Sequence, residues 1–172
     1  MRFQGWAYRA HNPRWSFKPS SGAGAALHGG RFNPRGVPAL YLSAEPMTAV
    51  KEANQGFSRK IEPLVLCSYE LDCADIVDLT KPEEMANNGI GENELACPWF
   101  SLALAGQTPP SWRVAQDLIR QGAAGIRVRS FVRGARGDER NIVLWRWGED
   151  APHRVRVFDP SGRLPKDQLS WR

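Results

Sequence analysis

Hydrophobic and polar residues alternate over several short stretches of the chain, and this two-residue period predicts β-strands. In residues 39–43, Leu40 and Leu42 fall on one face of the predicted strand and Tyr41 falls on the other. The predicted strands comprise residues 6–9, 39–43, 64–71, 76–79, 125–130, 141–147 and 154–158. Because these strands outnumber the long helices, the pattern favours an α+β fold with mostly antiparallel sheets and short flanking helices.

A helix is predicted directly after the second strand, over residues 46–55. Pro46 suits the first turn of a helix, and Gly56 suits its end. Glu52 follows Thr48 by one helical turn, so both lie on the face that opens toward the end of the preceding strand. This placement makes Glu52 a candidate for chemistry.

A second helix is predicted from Ser111, taken as its N-cap, to a stop at Gly122, with apolar residues at helical spacing between them. The Thr-x-x-Glu spacing of Thr80 and Glu83 is typical of a capping box and predicts a short helix. Residues 20–30 are small and glycine-rich, and they predict a mobile loop. The glycines, prolines and aromatic residues of the stretch 87–110 allow only a partial prediction there.

Length and composition indicate one soluble domain that spans residues 1–172. The chain is 42% hydrophobic and 24% charged, which is a globular composition. It contains no run of about 18 apolar residues and its start lacks the apolar region of a secretion signal, so we expect a cytoplasmic protein without membrane contact.

The chain carries a formal net charge of +5 and a surplus of arginine. Eight Arg and only three acidic residues lie between positions 113 and 146. Arginine grips phosphates in a bidentate manner, so an anionic ligand is one interpretation and a solvated basic face is the other. Interleaved aromatic residues allow a third: a basic RNA-directed protein or a nucleic-acid-binding module. We do not expect direct nucleic-acid binding, because the charge is modest and the chain has no nucleic-acid-binding motif.

Cysteine and histidine are few and scattered. Cys67, Cys73 and Cys97 lack CxxC spacing, and the three histidines stand singly, which disfavours a structural zinc site or a disulfide framework. The motifs of phosphate-loop NTPases, Rossmann domains, zinc peptidases and serine hydrolases are also missing from the sequence. We therefore expect no metal.

The segment GGRFNPRGVPALYLSAEPMTAVKEANQ contains a set of residues that suits a ligand site. Two glycines allow close approach to a ligand, Arg31 offers a guanidinium fork, Tyr41 offers a stacking face and Glu52 offers a carboxylate. Such a set suits the cleavage of an N-glycosidic bond to a cationic base, because a carboxylate stabilises the positive charge that develops on the sugar. Taken singly, each residue also fits a structural role.

The same segment, as GGRFNPRG…ALYLS…AVKEANQG, resembles the opening signature of the RES domain, a toxin family of bacterial type II toxin–antitoxin systems. The Arg and Glu of the family name match Arg31 and Glu52, and its Ser matches Ser130. An Asn-apolar strand that starts at Asn141 resembles a later block, and the pair Tyr8-Arg9 lies where the family tends to open. The resemblance is strongest over residues 6–56 and 122–147.

The resemblance implies a fold similar to diphtheria-toxin-like ADP-ribosyltransferases, with NAD as the substrate and an Xre-like antitoxin as the partner. It also implies roles for matched positions: Arg31 contacts the phosphate or ribose of NAD, Tyr41 stacks on nicotinamide, Glu52 stabilises the oxocarbenium ion and Ser130 binds within the pocket. Arg9 and Asn141 are secondary binding candidates. The acceptor of ADP-ribose stays open between a cellular protein, water and phosphate.

Overall fold

The computed structural model describes residues 1–55 and 61–169 of the chain. Seven strands and six α-helices lie in these residues. The strands are β1 (Phe3–His11), β2 (Leu40–Ser43), β3 (Val65–Cys73), β4 (Ile76–Asp78), β5 (Gly125–Arg129), β6 (Arg140–Leu144) and β7 (His153–Val157). The helices are α1 (Ala23–His28), α2 (Pro46–Ala53), α3 (Pro82–Asn87), α4 (Glu92–Leu95), α5 (Trp99–Leu104) and α6 (Pro110–Arg120), and a 3₁₀ turn spans Pro13–Trp15.

The seven described strands form one sheet in the order β4-β5-β6-β2-β1-β3-β7. Only the β4–β5 pair at one edge is parallel, and the other described pairs are antiparallel. The α+β class is therefore confirmed, but the expected antiparallel sheets are in fact a single mixed sheet. The parallel pair arises because the chain between β4 and β5 forms helices α3 to α6 and crosses back over the sheet.

Hydrophobic residues are buried on both faces of the sheet. Leu40 and Leu42 of β2 belong to one core cluster, and Tyr41 packs against the other, as the alternation predicts. The second cluster also contains the apolar face of α6, including Ala115 and Leu118. This helix therefore covers the face of the sheet to which Tyr41 points.

Each predicted strand is present, with ends that differ by at most three residues. Three predictions about other segments are wrong. Residues 20–30 are not wholly a loop, because the alanine-rich run within them forms α1. Thr80 does not cap α3, since its hydroxyl donates to Asp78 Oδ1 at 2.6 Å instead. Ser111 is not an N-cap but lies within the first turn of α6.

The remaining helix predictions concern the site more directly. Helix α2 begins at Pro46 as expected and ends at Ala53, while Gly56, its predicted stop, lies outside the described residues. The stretch 87–110, which is only partly predicted from sequence, contains the short helices α4 and α5. No helix among residues 1–55 and 61–169 is long and apolar enough to cross a membrane.

Candidate functional site

A cleft of about 790 Å³ opens on the face of the sheet where Tyr41 lies. This volume falls in the range of roughly 300–1,000 Å³ that is usual for small-molecule and cofactor sites. Within the described part of the chain, Glu52 is the only acidic residue that lines the cleft, whereas Arg9, Arg31 and Arg133 all line it. The cleft thus combines one carboxylate with several cationic groups.

Two other predicted site residues meet at the carboxylate of Glu52. Ser130 Oγ donates to Glu52 Oε1 at 2.6 Å, and Asn141 Nδ2 donates to the same oxygen at 2.5 Å. Helix α2 supplies the carboxylate, while Ser130 follows β5 directly and Asn141 lies on the neighbouring strand β6. These residues are 78 and 89 positions from Glu52 in sequence, so the sheet register brings them together.

Both donors are themselves held in place. Ser43 Oγ donates to Asn141 Oδ1 at 2.8 Å, which orients the amide so that its nitrogen points at Glu52. The backbone N–H of Val132 donates to Ser130 Oγ at 3.3 Å, so the hydroxyl proton is left for the carboxylate. Because both donors bind Oε1, the second carboxylate oxygen of Glu52 makes no hydrogen bond with the described residues. That oxygen can accept from a ligand.

A buried ion pair holds the residue that precedes Glu52 on α2. Lys51 Nζ donates to Glu139 Oε1, and the Glu139 side chain is 1% exposed. The backbone of Glu139 also accepts from Ser130 N–H at 2.9 Å. Glu139 therefore links the residue next to Glu52 with the residue that donates to Glu52, although no sequence pattern pointed to it.

Arg31 enters the cleft from the loop of residues 29–37, called here the Arg31 loop. Its Nη1 donates to the carbonyl of Cys97 at 2.7 Å and to that of Leu95 at 3.1 Å. The guanidinium lies 4.8 Å from the ring centroid of Phe131. Burial lowers the pKa of Arg31, while the nearby Glu52 carboxylate raises it. Its Nε and Nη2 have no partner in the described residues, so they are available to an anion.

The Arg31 loop is fixed by side chains that sequence reasoning did not assign to the site. Asn33 is fully buried, and its amide donates to the carbonyls of Ala25 and Val37, at 2.8 Å each. Ser111 Oγ donates to Arg31 O at 2.6 Å, and Trp112 Nε1 donates to Gly30 O at 2.7 Å. Helix α6 and an internal amide thus position Arg31 before any ligand binds.

Tyr41 lines the cleft and also supports the Arg31 loop. Its hydroxyl donates to Asn33 Oδ1 at 2.7 Å and accepts from Phe32 N–H at 3.0 Å. Burial raises the pKa of this hydroxyl well above its usual value, so it stays protonated. The hydroxyl is committed to structure, and only the ring of Tyr41 is available to a ligand.

Arg9 lines the cleft but its donors serve a structural purpose. Its Nη1 donates to the carbonyls of Pro19 and Ser21, at 2.9 and 3.0 Å. Burial is the main cause that lowers the pKa of Arg9. These bonds fasten the segment before α1 to β1, and so Arg9 shapes the cleft wall.

The cleft also contains residues that the sequence did not single out as site candidates. They are Tyr8, Ser43, Trp99, Phe100 and Arg133. Ser43 and Tyr8 lie opposite each other in the β1–β2 register. Arg133 belongs to the arginine-rich stretch, which was its only signal, and the aromatic pair lies in the stretch that sequence predicted least well.

The arginine-rich stretch does not form one free basic surface. In the described structure, Arg120, Arg127, Arg129, Arg136 and Arg146 each pair with a carboxylate. The tryptophans in and next to this stretch donate to backbone carbonyls: Trp112 to Gly30, Trp145 to Phe32 and Trp147 to Ser20. Stacking platforms for single-stranded nucleic acid need exposed aromatic faces beside free cations, and this stretch offers few of either.

Within residues 1–55 and 61–169, no cluster of three His, Cys, Asp or Glu side chains could hold a metal ion. Cys67, Cys73 and Cys97 are buried and free. Cys97 Sγ donates to Ser111 Oγ at 3.3 Å, beside the backbone that accepts from Arg31. The thiol thus belongs to the support of the Arg31 loop.

Comparisons with known proteins agree with this architecture. A search of curated proteins found no match. Among solved structures, the fold is similar to a chain in the crystal structure of the M. tuberculosis MbcT–MbcA toxin–antitoxin complex, with a TM-score of 0.64 and 19% identity. The match covers 92% of this chain and 84% of that chain. The model of the RES domain matches residues 7–167, nearly the whole chain, which confirms the resemblance to this family. This protein therefore belongs to the RES domain family.

Proposed function

We propose that this protein is the toxin of a bacterial toxin–antitoxin system and that it consumes NAD by cleaving the nicotinamide–ribose bond. One observation carries the proposal: Glu52, the single carboxylate that the described residues place in the cleft, is held by Ser130 and Asn141 and shares the cleft with the free donors of Arg31. Membership of the RES domain family and the fold shared with a chain of a toxin–antitoxin complex support it.

The chemistry of NAD explains why one carboxylate is enough. When the bond between C1 of the ribose and the pyridinium nitrogen breaks, its electron pair neutralises the ring, so nicotinamide leaves without a proton donor. Glycosidases need a second carboxyl group, because their leaving oxygen must be protonated. Here the ribose becomes an oxocarbenium ion, and Glu52 stabilises that positive charge through electrostatic attraction. A nucleophile then bonds to C1 and loses its proton.

The hydrogen bonds around Glu52 define how it acts. Two donors occupy Oε1 and hold the carboxylate in one orientation, so no reorganisation is needed as charge develops. Oε2 accepts from a ribose hydroxyl and faces the reacting carbon. Asn141 and Ser130 are positioning residues in this mechanism, since they act through Glu52.

Arg31 binds the pyrophosphate of the substrate. Its guanidinium is already anchored by one nitrogen, so the other two keep a fixed direction toward an anion. The ring of Tyr41 packs on nicotinamide, and Arg9 and Arg133 add positive charge to the same cleft. The cleft is thus complementary to a dinucleotide with two phosphates.

The fold and the partner follow from the same proposal. We infer a relationship to diphtheria-toxin-like ADP-ribosyltransferases, whose chemistry starts with the same bond cleavage. An Xre-like antitoxin would inhibit by covering or entering the cleft beside α1, whose Gly24 and Ala25 line it. We expect the free toxin to act on the NAD of the cytoplasm. An inhibited complex that still binds NAD with the affinity of the free toxin would refute this mode of inhibition.

The test combines products, a catalytic variant and a matched control. Wild-type protein should release nicotinamide from NAD, and mass spectrometry should identify free ADP-ribose, its 1″-phosphate or a modified protein as the second product. Glu52→Gln should slow the release by about 100-fold or more, the usual cost of losing one aimed electrostatic group. Glu45→Gln, on the residue that precedes α2 and outside the cleft, should leave it unchanged.

The same variants separate the proposal from its rival in cells. Expression without an antitoxin should arrest growth and lower cellular NAD, and Glu52→Gln should relieve both effects. Growth arrest by Glu52→Gln with normal NAD, together with steeply salt-dependent RNA binding, would favour a nucleic-acid-directed toxin instead.

A further inference from the structure

Helix α5 presents an aromatic pair to the cleft. Trp99 and Phe100 both line it, and their rings meet edge to face with centroids 5.6 Å apart. Phe100 is 64% exposed, and the indole nitrogen of Trp99 has no hydrogen-bond partner among the described residues. Trp112, by contrast, donates to a backbone carbonyl. The pair belongs to neither hydrophobic core cluster. Exposed aromatic residues in a concave site are typical of a ligand-binding surface.

Arg31 connects this pair to the reacting end of the cleft. Its Nη1 donates at 2.7 Å to the carbonyl of Cys97, which precedes Trp99 by two residues. The Arg31 guanidinium also lies 4.8 Å from the ring centroid of Phe131, and Phe131 directly follows Ser130, which donates to Glu52. Arg31 thus contacts both the segment that binds Glu52 and the segment that leads to Trp99 and Phe100, which favours the order Glu52, Arg31 and then the aromatic pair along the cleft. A dinucleotide has the matching order of nicotinamide ribose, pyrophosphate and adenosine.

The other aromatic rings of the cleft are already engaged or lie at the reacting end. The guanidinium groups of Arg31 and Arg129 both lie 4.8 Å from the centroid of Phe131. Tyr41 is tied to the Arg31 loop by its hydroxyl. Tyr8 lies opposite Ser43, which orients the amide that binds Glu52. Phe32 is 2% exposed, so among the described residues of the cleft only Trp99 and Phe100 offer free ring surface beyond Arg31.

We propose that Trp99 and Phe100 form the subsite for the adenine base, which stacks on their rings while Arg31 binds the pyrophosphate. This inference rests on NAD as the substrate. An aromatic side chain can stack on any nucleobase. Substitution of such a side chain by alanine weakens the binding of the base by about tenfold or more. The subsite explains how the enzyme would favour NAD over smaller nicotinamide nucleotides.

The kinetic test compares two substrates. Nicotinamide mononucleotide has the scissile bond and one phosphate but no adenosine. Trp99→Ala and Phe100→Ala should each raise the KM for NAD by about tenfold and leave kcat/KM for nicotinamide mononucleotide unchanged, while Trp99→Phe should retain most of the affinity for NAD. Leu104→Ala, at the end of the same helix and outside the cleft, should change neither value.

Two outcomes would overturn the subsite: an unchanged KM for NAD in both alanine variants, or equal losses with both substrates, which would indicate a disturbed Arg31. A binding assay separates this failure from failure of the proposed reaction. Trp99→Ala should weaken the binding of ADP-ribose by about tenfold and leave that of ribose 5-phosphate unchanged. A wild-type protein that binds ADP-ribose in this manner but releases no nicotinamide would refute the reaction and keep the subsite. Equal ADP-ribose affinity in wild type and Trp99→Ala would refute the subsite alone.

Discussion

The substitution Gly30→Ala should disrupt the hydrogen bonds of Tyr41 that support the Arg31 loop. A Cβ atom on Gly30 would lie 2.5 Å from the hydroxyl oxygen of Tyr41 and 2.7 Å from Asn33 Oδ1. Both distances are far shorter than a normal carbon–oxygen contact, so one of these polar groups must move. They are hydrogen-bonded to each other at 2.7 Å, and the added methyl group therefore separates them.

The decrease in the free energy of unfolding follows from the hydrogen bonds that Gly30→Ala weakens. Tyr41 also accepts from Phe32 N–H, so two hydrogen bonds weaken at about 1 kcal/mol each. Asn33 is fully buried, and leaving its oxygen unpaired costs about 1–3 kcal/mol more. The sum of about 3–5 kcal/mol is a large share of the roughly 5–15 kcal/mol stability of a domain. We expect a folded protein whose Arg31 is misplaced.

Gly24 supplies the matched control, because it lines the same cleft and a Cβ atom there would meet nothing within 4 Å. Gly24→Ala lies within α1 and should stabilise the protein by about 0.5–1 kcal/mol. Urea unfolding and nicotinamide release should be measured on both variants. If Gly30→Ala unfolds within about 0.5 kcal/mol of the wild type and keeps its KM for NAD, the proposed role of the loop support is wrong.

Three other changes test separate parts of the structure. Arg31→Lys keeps the charge but loses the fork, so it should raise the KM for NAD by about tenfold or more, whereas Arg35→Lys, exposed in the same loop, should not. Glu139→Ala leaves Lys51 buried without this partner and should lower the free energy of unfolding by about 3–5 kcal/mol in urea titrations. Burial lowers the pKa of His11 from 6.5 to about 4, so between these values the unfolded chain binds the additional proton and stability should fall as pH falls. His11→Gln should remove that part of the slope between pH 6.5 and 4; an unchanged slope would contradict the shifted pKa.

The sequence predicted the strands well because each buries one or both faces, and a two-residue period records this burial directly. No local sequence pattern indicates the edge pairing of β4 with β5, since this pairing depends on the crossover of the chain between the two strands. Helices α4 and α5 are four and six residues long, too short for a helical period to emerge among glycines and prolines. The adenine subsite that we propose lies in this poorly predicted stretch.

The candidate site was predictable in part. Residue chemistry indicated Arg31, Tyr41 and Glu52, and the family resemblance added Ser130, but no sequence pattern indicates that Ser130 donates to Glu52 across 78 residues. Ser111 shows the limit of local rules: a hydroxyl before an apolar helix is typical of an N-cap, yet it binds the carbonyl of Arg31 instead. Asn33 belongs to the predicted segment, but its role depends on carbonyls that only the folded loop presents.

The start of β6 binds both the carboxylate of Glu52 and the side chain of the residue before it on α2. Helix α2 has only eight residues, and a helix of that length is marginal without tertiary contacts. Glu139 and Asn141 are two residues apart, so they point to the same side of the extended chain, where one binds Lys51 and the other binds Glu52. The same short segment accepts from Ser130 N–H through the backbone of Glu139. A substitution at Glu139 should therefore change the geometry of the carboxylate and of one of its donors together, without touching the substrate.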